Sequence, residues 1–192
     1  MSQPRAQRTR RRLLRAAAQE FARLGYSGAR LSDVVDRIGM TKGALYGHFT
    51  SKQDLAAAVR DEAVRRWEKL RSDVAATRTD PLGQLRALAE RLMRCMERDP
   101  HVRAAARFAA DRQPEPGERD LITAVTAHVA ALAQQAEDEG RLTAALPART
   151  FTDLLITTVF AGDRSGSDRR TRLNGLWDLL DHTHDRTHAP AR

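Results

Sequence analysis

At 192 residues, with 41% apolar and 30% charged residues, the chain is long enough to bury a sizeable core and too apolar to be disordered. No apolar run approaches the roughly 18 residues that span a bilayer, and no apolar segment of a signal peptide follows the arginine-rich start. A cytoplasmic protein with no membrane partner is therefore expected. The single cysteine, Cys95, excludes an internal disulfide and suits a reducing compartment.

The net charge of +8 is localised. Residues 1–52 hold eleven basic residues against Glu20, Asp33 and Asp36, and the remaining 140 residues are balanced at 22 of each sign. A polyanion-binding module joined to a charge-neutral body is the reading this distribution favours.

In chain order, residues 5–24 read as a helix, with Leu14, Ala17, Ala18, Phe21 and Leu24 recurring at three- and four-residue steps. Arg5, Arg8, Arg11, Arg12 and Arg15 fall largely on the other side. Gly25 is placed to stop it. Ser32 is placed to cap a second helix that runs to about Ile38 with Val34, Val35 and Ile38 inward. Gly39 then supplies a left-handed turn residue and Thr41 caps a third helix. On that helix Leu45 and Phe49 share one face, and Gly43 and Gly47 lie opposite. An outer face of nearly bare backbone, flanked by Thr41, Lys42, Tyr46 and His48, suits close approach to a phosphate-lined groove. The expectation is a DNA-reading helix-turn-helix, spanning residues 1–50 as one domain, with residues 51–192 as a regulatory and dimerisation domain.

The second domain opens on a long helix over about 51–76, uninterrupted by proline or glycine. Asp80 followed by Pro81 starts the next helix, with Leu85, Leu88, Leu92, Met93 and Met96 in one stripe. A shorter segment runs over 102–110. Residues 113–119 read as a loop, and helical pattern resumes over 120–139 and stops at Gly140. Pro147 begins a helix, to about 161, that is apolar over most of its circumference and so requires cover nearly all round. A loop at 162–170 precedes a last helix over about 171–182, and the tail is expected to be disordered. No alternating strand pattern occurs, so the fold class is all-α with about nine helices.

Leu14, Ala17, Ala18, Phe21, Gly25, Tyr26, Leu31, Val34, Ile38, Gly39, the run TKGALYGHF at 41–49, Ser51, Lys52 and Leu55 together resemble the TetR family of bacterial transcriptional repressors. The run from Leu31 to Phe49 is similar to the γ-butyrolactone-receptor branch. The resemblance implies a homodimer with N-terminal reading heads, bound to a double-stranded DNA operator of two half-sites. It implies that Ser32, Thr41, Lys42, Tyr46, His48 and Lys52 contact phosphates, that Gly43 and Ala44 lie against base edges, and that the last two long helices form the dimer interface. A small-molecule effector, a γ-butyrolactone or an antibiotic-like compound, would release the DNA. Two positions depart from the branch. The helix over 120–139 lacks its usual tryptophan, the chain's two tryptophans being Trp67 and Trp177, and Gly47 stands where relatives carry a larger side chain.

Candidates for an effector pocket are Leu88, Leu92, Met96, Phe108, Ile122, Val125, Thr126, Val129 and Leu155, although apolar stripes of this kind serve equally as plain core. A second possibility is a ligand-independent regulator whose body recruits a protein partner. No paired carboxylates, nucleophile constellation, P-loop or zinc spacing occurs, so neither an enzyme nor a cofactor is expected. Histidines 182, 184 and 188 lack the carboxylate frame a metal site would need.

Overall fold

The computed structural model describes residues 3–111, 120–142, 144–160 and 166–187. Among these there are nine helices and no strand: α1 (Gln3–Gly28), α2 (Leu31–Arg37), α3 (Lys42–Tyr46), α4 (Lys52–Ala75), α5 (Pro81–Arg98), α6 (Pro100–Asp111), α7 (Leu121–Asp138), α8 (Ala148–Phe160) and α9 (Gly166–Thr187). No helix among the described residues is long and apolar enough to cross a membrane.

Most element ends follow from cap chemistry. α1 is broken at Gly25, whose φ of 71° is readily adopted only by glycine. A β-carbon there would also stand 2.5 Å from Asp111 Oδ2. Gly39 (φ 64°) and Gly140 (φ 69°) likewise take left-handed conformations after α2 and α7. At the start of α4, Ser51 Oγ accepts from the Asp54 amide at 3.0 Å, and Asp54 Oδ2 accepts from the Thr50 amide at 2.9 Å. Asp80 Oδ1 accepts from the Gly83 amide at 2.7 Å, with Pro81 as the first residue of α5.

Three expectations are corrected. Ser32 does not cap α2: the capping position is Arg30, and the Ser32 hydroxyl bonds Asp33 at 3.2 Å from inside the first turn. α9 starts at Gly166, earlier than 171, where Asp168 accepts from Arg172 at 2.6 Å one turn on, a pairing that suits a helix N-terminus. It continues to Thr187, so the first part of the expected disordered tail is helical. The expected loop at 113–119, positions 161–165 and the tail from 188 lie outside the described residues.

The chain forms two compact units. The first comprises Met1–Trp67 with Arg98–Leu121, the second Glu68–Glu97 with Ile122–Arg192. This division differs from a boundary at 50, because the start of α4 and the whole of α6 complete the core of the first unit. That core holds Leu13, Leu14, Ala17, Phe21, Val34, Val35, Leu45, Phe49, Leu55 and Val59 together with Ala104 and Phe108. The Phe108 ring meets Phe21 edge-on at 5.1 Å and Tyr26 at 6.3 Å. Phe108 is therefore corrected from a pocket candidate to a core residue of the first unit.

Two ion-pair networks fasten the first unit. Glu20 on α1, only 1% exposed, accepts from Arg23 at 2.9 Å and from Arg37 Nε, at the end of α2, at 2.9 Å. Burial raises the Glu20 pKa, but the bonds and charges of the two arginines outweigh it and hold the carboxyl below its ordinary value. Asp99 caps α6, accepting from the His101 amide at 3.0 Å, and pairs with Arg66 of α4. Burial raises the Asp99 pKa, yet the His101 hydrogen bond and the Arg66 charge pull it down to about 2.

In the second unit, Arg86 of α5 lies 4.8 Å over the Trp177 ring and bonds Asp181 at 2.6 Å, both on α9. Phe151 of α8 packs on Trp177 at 5.6 Å. α8 buries Phe151, Thr152, Leu155 and Val159 but leaves Leu154 43% exposed, and α9 leaves Leu179 59% exposed.

Asp99→Asn tests the α4–α6 tie. The folded pKa lies below the ordinary 3.8, so the stabilisation is present above that value and is lost as pH falls through about 2. Urea unfolding at pH 7 should show the variant less stable by about 1–2 kcal/mol, after allowing for the solvent-exposed side of Arg66. The difference should shrink at pH 3.

Candidate nucleic-acid interface

α3 is five residues long, and its shape follows from its two ends. Thr41 Oγ1 accepts from the Ala44 amide at 3.2 Å, so one of the helix's free N–H groups is satisfied by the side chain that precedes it. Leu45 and Phe49 are each 1% exposed and set the inner face into the core of the first unit. Gly47 is the C-terminal cap, with right-handed φ of −68°. The helix therefore ends at this glycine, and the helix-interior penalty of glycine does not apply to it. The Leu45 carbonyl accepts from the His48 and Phe49 amides at 2.9 and 3.0 Å, which carries one further turn past the cap.

The outer face is as bare as the residue types suggest. Thr41, Lys42, Gly43, Tyr46 and Gly47 are exposed, and Ala44 and His48 are half-buried. A β-carbon on Gly43 would meet nothing nearer than Thr41 Oγ1 at 3.9 Å. Tyr46 is 54% exposed, a large aromatic offered to solvent beside Lys42. Such a face can press backbone and one methyl group, that of Ala44, into a major groove while a lysine and hydroxyls reach phosphates.

Two of the expected phosphate ligands are occupied within the unit. Lys52 Nζ donates to the Ser27 carbonyl at 3.3 Å and sits 4.7 Å over the Tyr26 ring, fastening the start of α4 to the turn after Gly25. Ser32 is half-buried and bonded to Asp33. Two arginines of α1, of which the residue pattern marked Arg12 only as part of the outer stripe and did not mark Arg10, instead fix the reading segment. Arg12 Nη2 donates to the Ile38 carbonyl at 3.2 Å, and the Arg10 guanidinium lies 4.9 Å over the Phe49 ring. Neither partner was visible in the helical pattern, because both contacts join residues more than 25 positions apart.

The pocket candidates other than Phe108 belong to the second unit. Leu88, Leu92, Met96, Val125, Val129 and Leu155 are buried, and Ile122 and Thr126 are half-buried. His128, on α7 near Thr126, has its pKa lowered by burial and then by the charge of Arg71, so it is neutral at pH 7. Neither tryptophan is on α7: Trp67 lies on α4 and Trp177 on α9. Among the described residues no group of three His, Cys, Asp or Glu could hold a metal ion.

This capped short helix, set after a left-handed glycine turn, makes the chain a helix-turn-helix DNA-binding transcriptional regulator. The family described as "Bacterial regulatory proteins, tetR family" matches residues 13–59. The chain belongs to the TetR family and is similar to its γ-butyrolactone-receptor branch. It is 47% identical over 60 residues to the A-factor receptor protein of Streptomyces griseus, covering 31% of this chain and 22% of that receptor. It spans less than half the length of the curated relatives it matches, for example 40% of the regulator TtgR of Pseudomonas putida, at 34% identity over 43% of this chain. Over the whole fold it is similar to CprB from Streptomyces coelicolor in complex with its operator, with TM-score 0.80, 29% identity, and 92% and 88% of the two chains covered. TtgR is named as a transcriptional regulator and the matching family as regulatory proteins, which places this chain with regulators rather than enzymes.

Gly47→Ala is accommodated by the observed φ, and its methyl would meet the Ala44 carbonyl oxygen at 3.5 Å, an ordinary contact. Its stability should be unchanged or higher by up to about 1 kcal/mol. Thr41→Ala, which removes the cap, should cost about 0.5–2 kcal/mol. Thermal unfolding of the two variants beside the parent checks both signs.

Proposed function

We propose that the protein is a homodimeric repressor that holds a two-half-site operator through α3 and is released by a small-molecule effector. The observation that supports this most directly is the exposed face of Thr41, Lys42, Gly43, Tyr46 and Gly47 on a helix pinned from behind by Leu45 and Phe49. Its backbone-rich surface suits close groove approach, with Lys42 as the main point charge. Ala44 meets a base edge, and Thr41, Tyr46 and His48 serve as hydrogen-bonding phosphate ligands. Lys52 and Ser32 contribute more to holding the unit than to gripping DNA.

The dimer forms through α8 and α9. Each carries one large leucine to the surface, Leu154 and Leu179, and two copies related by a two-fold axis would cover both. Leu179→Glu should shift the protein toward monomer in sedimentation and weaken operator binding in parallel.

The effector enters the second unit among Leu88, Leu92, Met96, Val125, Val129 and Leu155, with Thr126 and His128 as the polar groups that orient it. The relatives described as γ-butyrolactone receptors supply the effector class to try first, and antibiotic-like compounds the second. The protein acts in the cytoplasm, where operator and effector meet.

Selection of bound fragments from genomic DNA should return two related half-sites about one helical turn apart, or a multiple of it. Lys42→Ala should then weaken binding to all sequences and flatten the dependence of affinity on salt by about one unit per contact removed. An unchanged slope removes Lys42 from the phosphate ligands. Lactone or antibiotic titrations that never release the recovered operator would leave a ligand-independent regulator instead.

A further inference from the structure

We propose that the first half of α1 is a second DNA-contact surface, with Arg5, Arg8, Arg11 and Arg15 gripping backbone phosphates beside the groove that α3 enters. The inference rests on the DNA-binding reading above and extends it to residues outside the helix-turn-helix motif.

Four observations converge. At 100° per residue, Arg5, Arg8, Arg11, Arg12 and Arg15 lie within an arc of about 120°. From Leu13 onward the rest of the circumference is taken by buried Leu13, Leu14, Ala16, Ala17, Ala18, Glu20 and Phe21, whereas residues 4–12 are exposed or half-buried all round. Where the helix is buried the arc is thus its solvent face, and its charged residues are all basic.

Secondly, Arg5, Arg8, Arg11 and Arg15 are exposed and hold no hydrogen bond or ion pair among the described residues. Nine arginines elsewhere, Arg23, Arg37, Arg65, Arg66, Arg86, Arg107, Arg141, Arg170 and Arg172, meet carboxylates; others such as Arg91, Arg94 and Arg103 do not, but they stand on helices that also carry acids, whereas the stripe has none beside it. The first acid in the chain is Glu20, and it is buried and already bonded to two arginines. No acid of α1 is left to neutralise the stripe.

Thirdly, the stripe is held in register with the reading helix. Arg12 bonds the Ile38 carbonyl just before α3, and Arg10 covers Phe49 just after it. Whatever surface α3 meets, the four arginines stand at a fixed offset from it. From Arg5 to Arg15 the helix rises about 15 Å, and a DNA strand presents a phosphate every 3.4 Å or so along its axis. Roughly four phosphates fall within reach, and a guanidinium is the side chain suited to bridging phosphate oxygens.

Fourthly, Arg8 with Arg11, Arg8 with Arg12, Arg11 with Arg15, and Arg12 with Arg15 are like-charge neighbours at three- and four-residue spacing, an arrangement that destabilises a helix. A row of phosphates removes that repulsion, so binding should also firm the helix.

The experiment compares the parent with a variant carrying Arg5→Gln, Arg8→Gln, Arg11→Gln and Arg15→Gln, and with one carrying Lys at the same four positions. Glutamine and lysine keep helix propensity close to that of arginine, and circular dichroism confirms that each variant folds. Affinity is measured against salt for the selected operator and for a random duplex of equal length. The glutamine variant should lose slope by about 0.9 for each contact removed, between one and four contacts per protomer. Its operator-to-random affinity ratio should hold within about threefold, and the lysine variant should retain the parent slope. Amide exchange over residues 5–15 should slow when the parent binds DNA. An unchanged slope in the glutamine variant overturns the proposal. So does a loss confined to duplexes with A·T-rich flanks, which would mean insertion into a minor groove rather than phosphate contact. A parent protein that binds the random duplex as tightly as any selected site sinks the regulator reading instead. One that binds no duplex overturns both.

Discussion

A carboxylate that is only 1% exposed must be hydrogen-bonded or neutral, and Glu20 is hydrogen-bonded from two directions. Its place decides the geometry of the head. Arg23 belongs to the same helix, but Arg37 is the last residue of α2, immediately before the turn that leads to α3. With Glu20 held inside, the departure of Arg37 would leave Oε1 of a buried carboxylate without its partner and Arg23 as the remaining counter-charge. Arg12 and Arg10 then add ties on either side of α3, and Leu45 and Phe49 close it from within. The reading helix is short, and α1 supplies two of the ties that flank it, through Arg12 and Arg10.

That division of labour explains the poverty of the outer face. Thr41, Lys42, Gly43, Ala44 and Tyr46 offer few groups that could distinguish one base pair from another. A helix with little chemistry of its own can be selective only if it is positioned well, since backbone contact with a groove is sensitive to fit and to the shape of the duplex. In the proposed mode of DNA binding, rigidity in the head therefore substitutes for side-chain readout.

Local features of the fold were legible in the residues because they depend on neighbours. Gly25, Gly39 and Gly140 mark chain reversals, Asp80–Pro81 and Ser51–Asp54 mark helix starts, and the three- and four-residue rhythm of apolar positions marks inner faces. What was not legible depends on contacts between segments far apart. Glu20 enters the sequence only as one of three acids among the first 52 residues, and nothing near it hints at Arg37. Ser32 has the chemistry of a cap and stands one residue inside the helix. Lys52 has the chemistry of a phosphate ligand and is drawn to Ser27 and Tyr26. Phe108 lies in an apolar stripe that would serve any core, and only the turn at Gly25 brings Tyr26 and Phe21 to meet it. The face of α3 could be read almost residue by residue, whereas its supports could not.

The composition of the first unit bears on how the protein is made. α1 to α3 and the start of α4 leave the ribosome first, yet Ala104 and Phe108, which close the same core, are synthesised about forty residues after Trp67. Until they emerge, Phe21 and Tyr26 lack the ring they pack against. At 5–20 residues per second that interval lasts a few seconds. Newly made heads pass through this interval with an open apolar edge, and they acquire their final form together with the middle of the chain. A head cut at the end of the helix-turn-helix, or grafted onto another body there, would remain in that unfinished state permanently. Exchange of operator preference between relatives through simple fusion at that point is thereby disfavoured, because the unit of inheritance is two separated stretches of sequence.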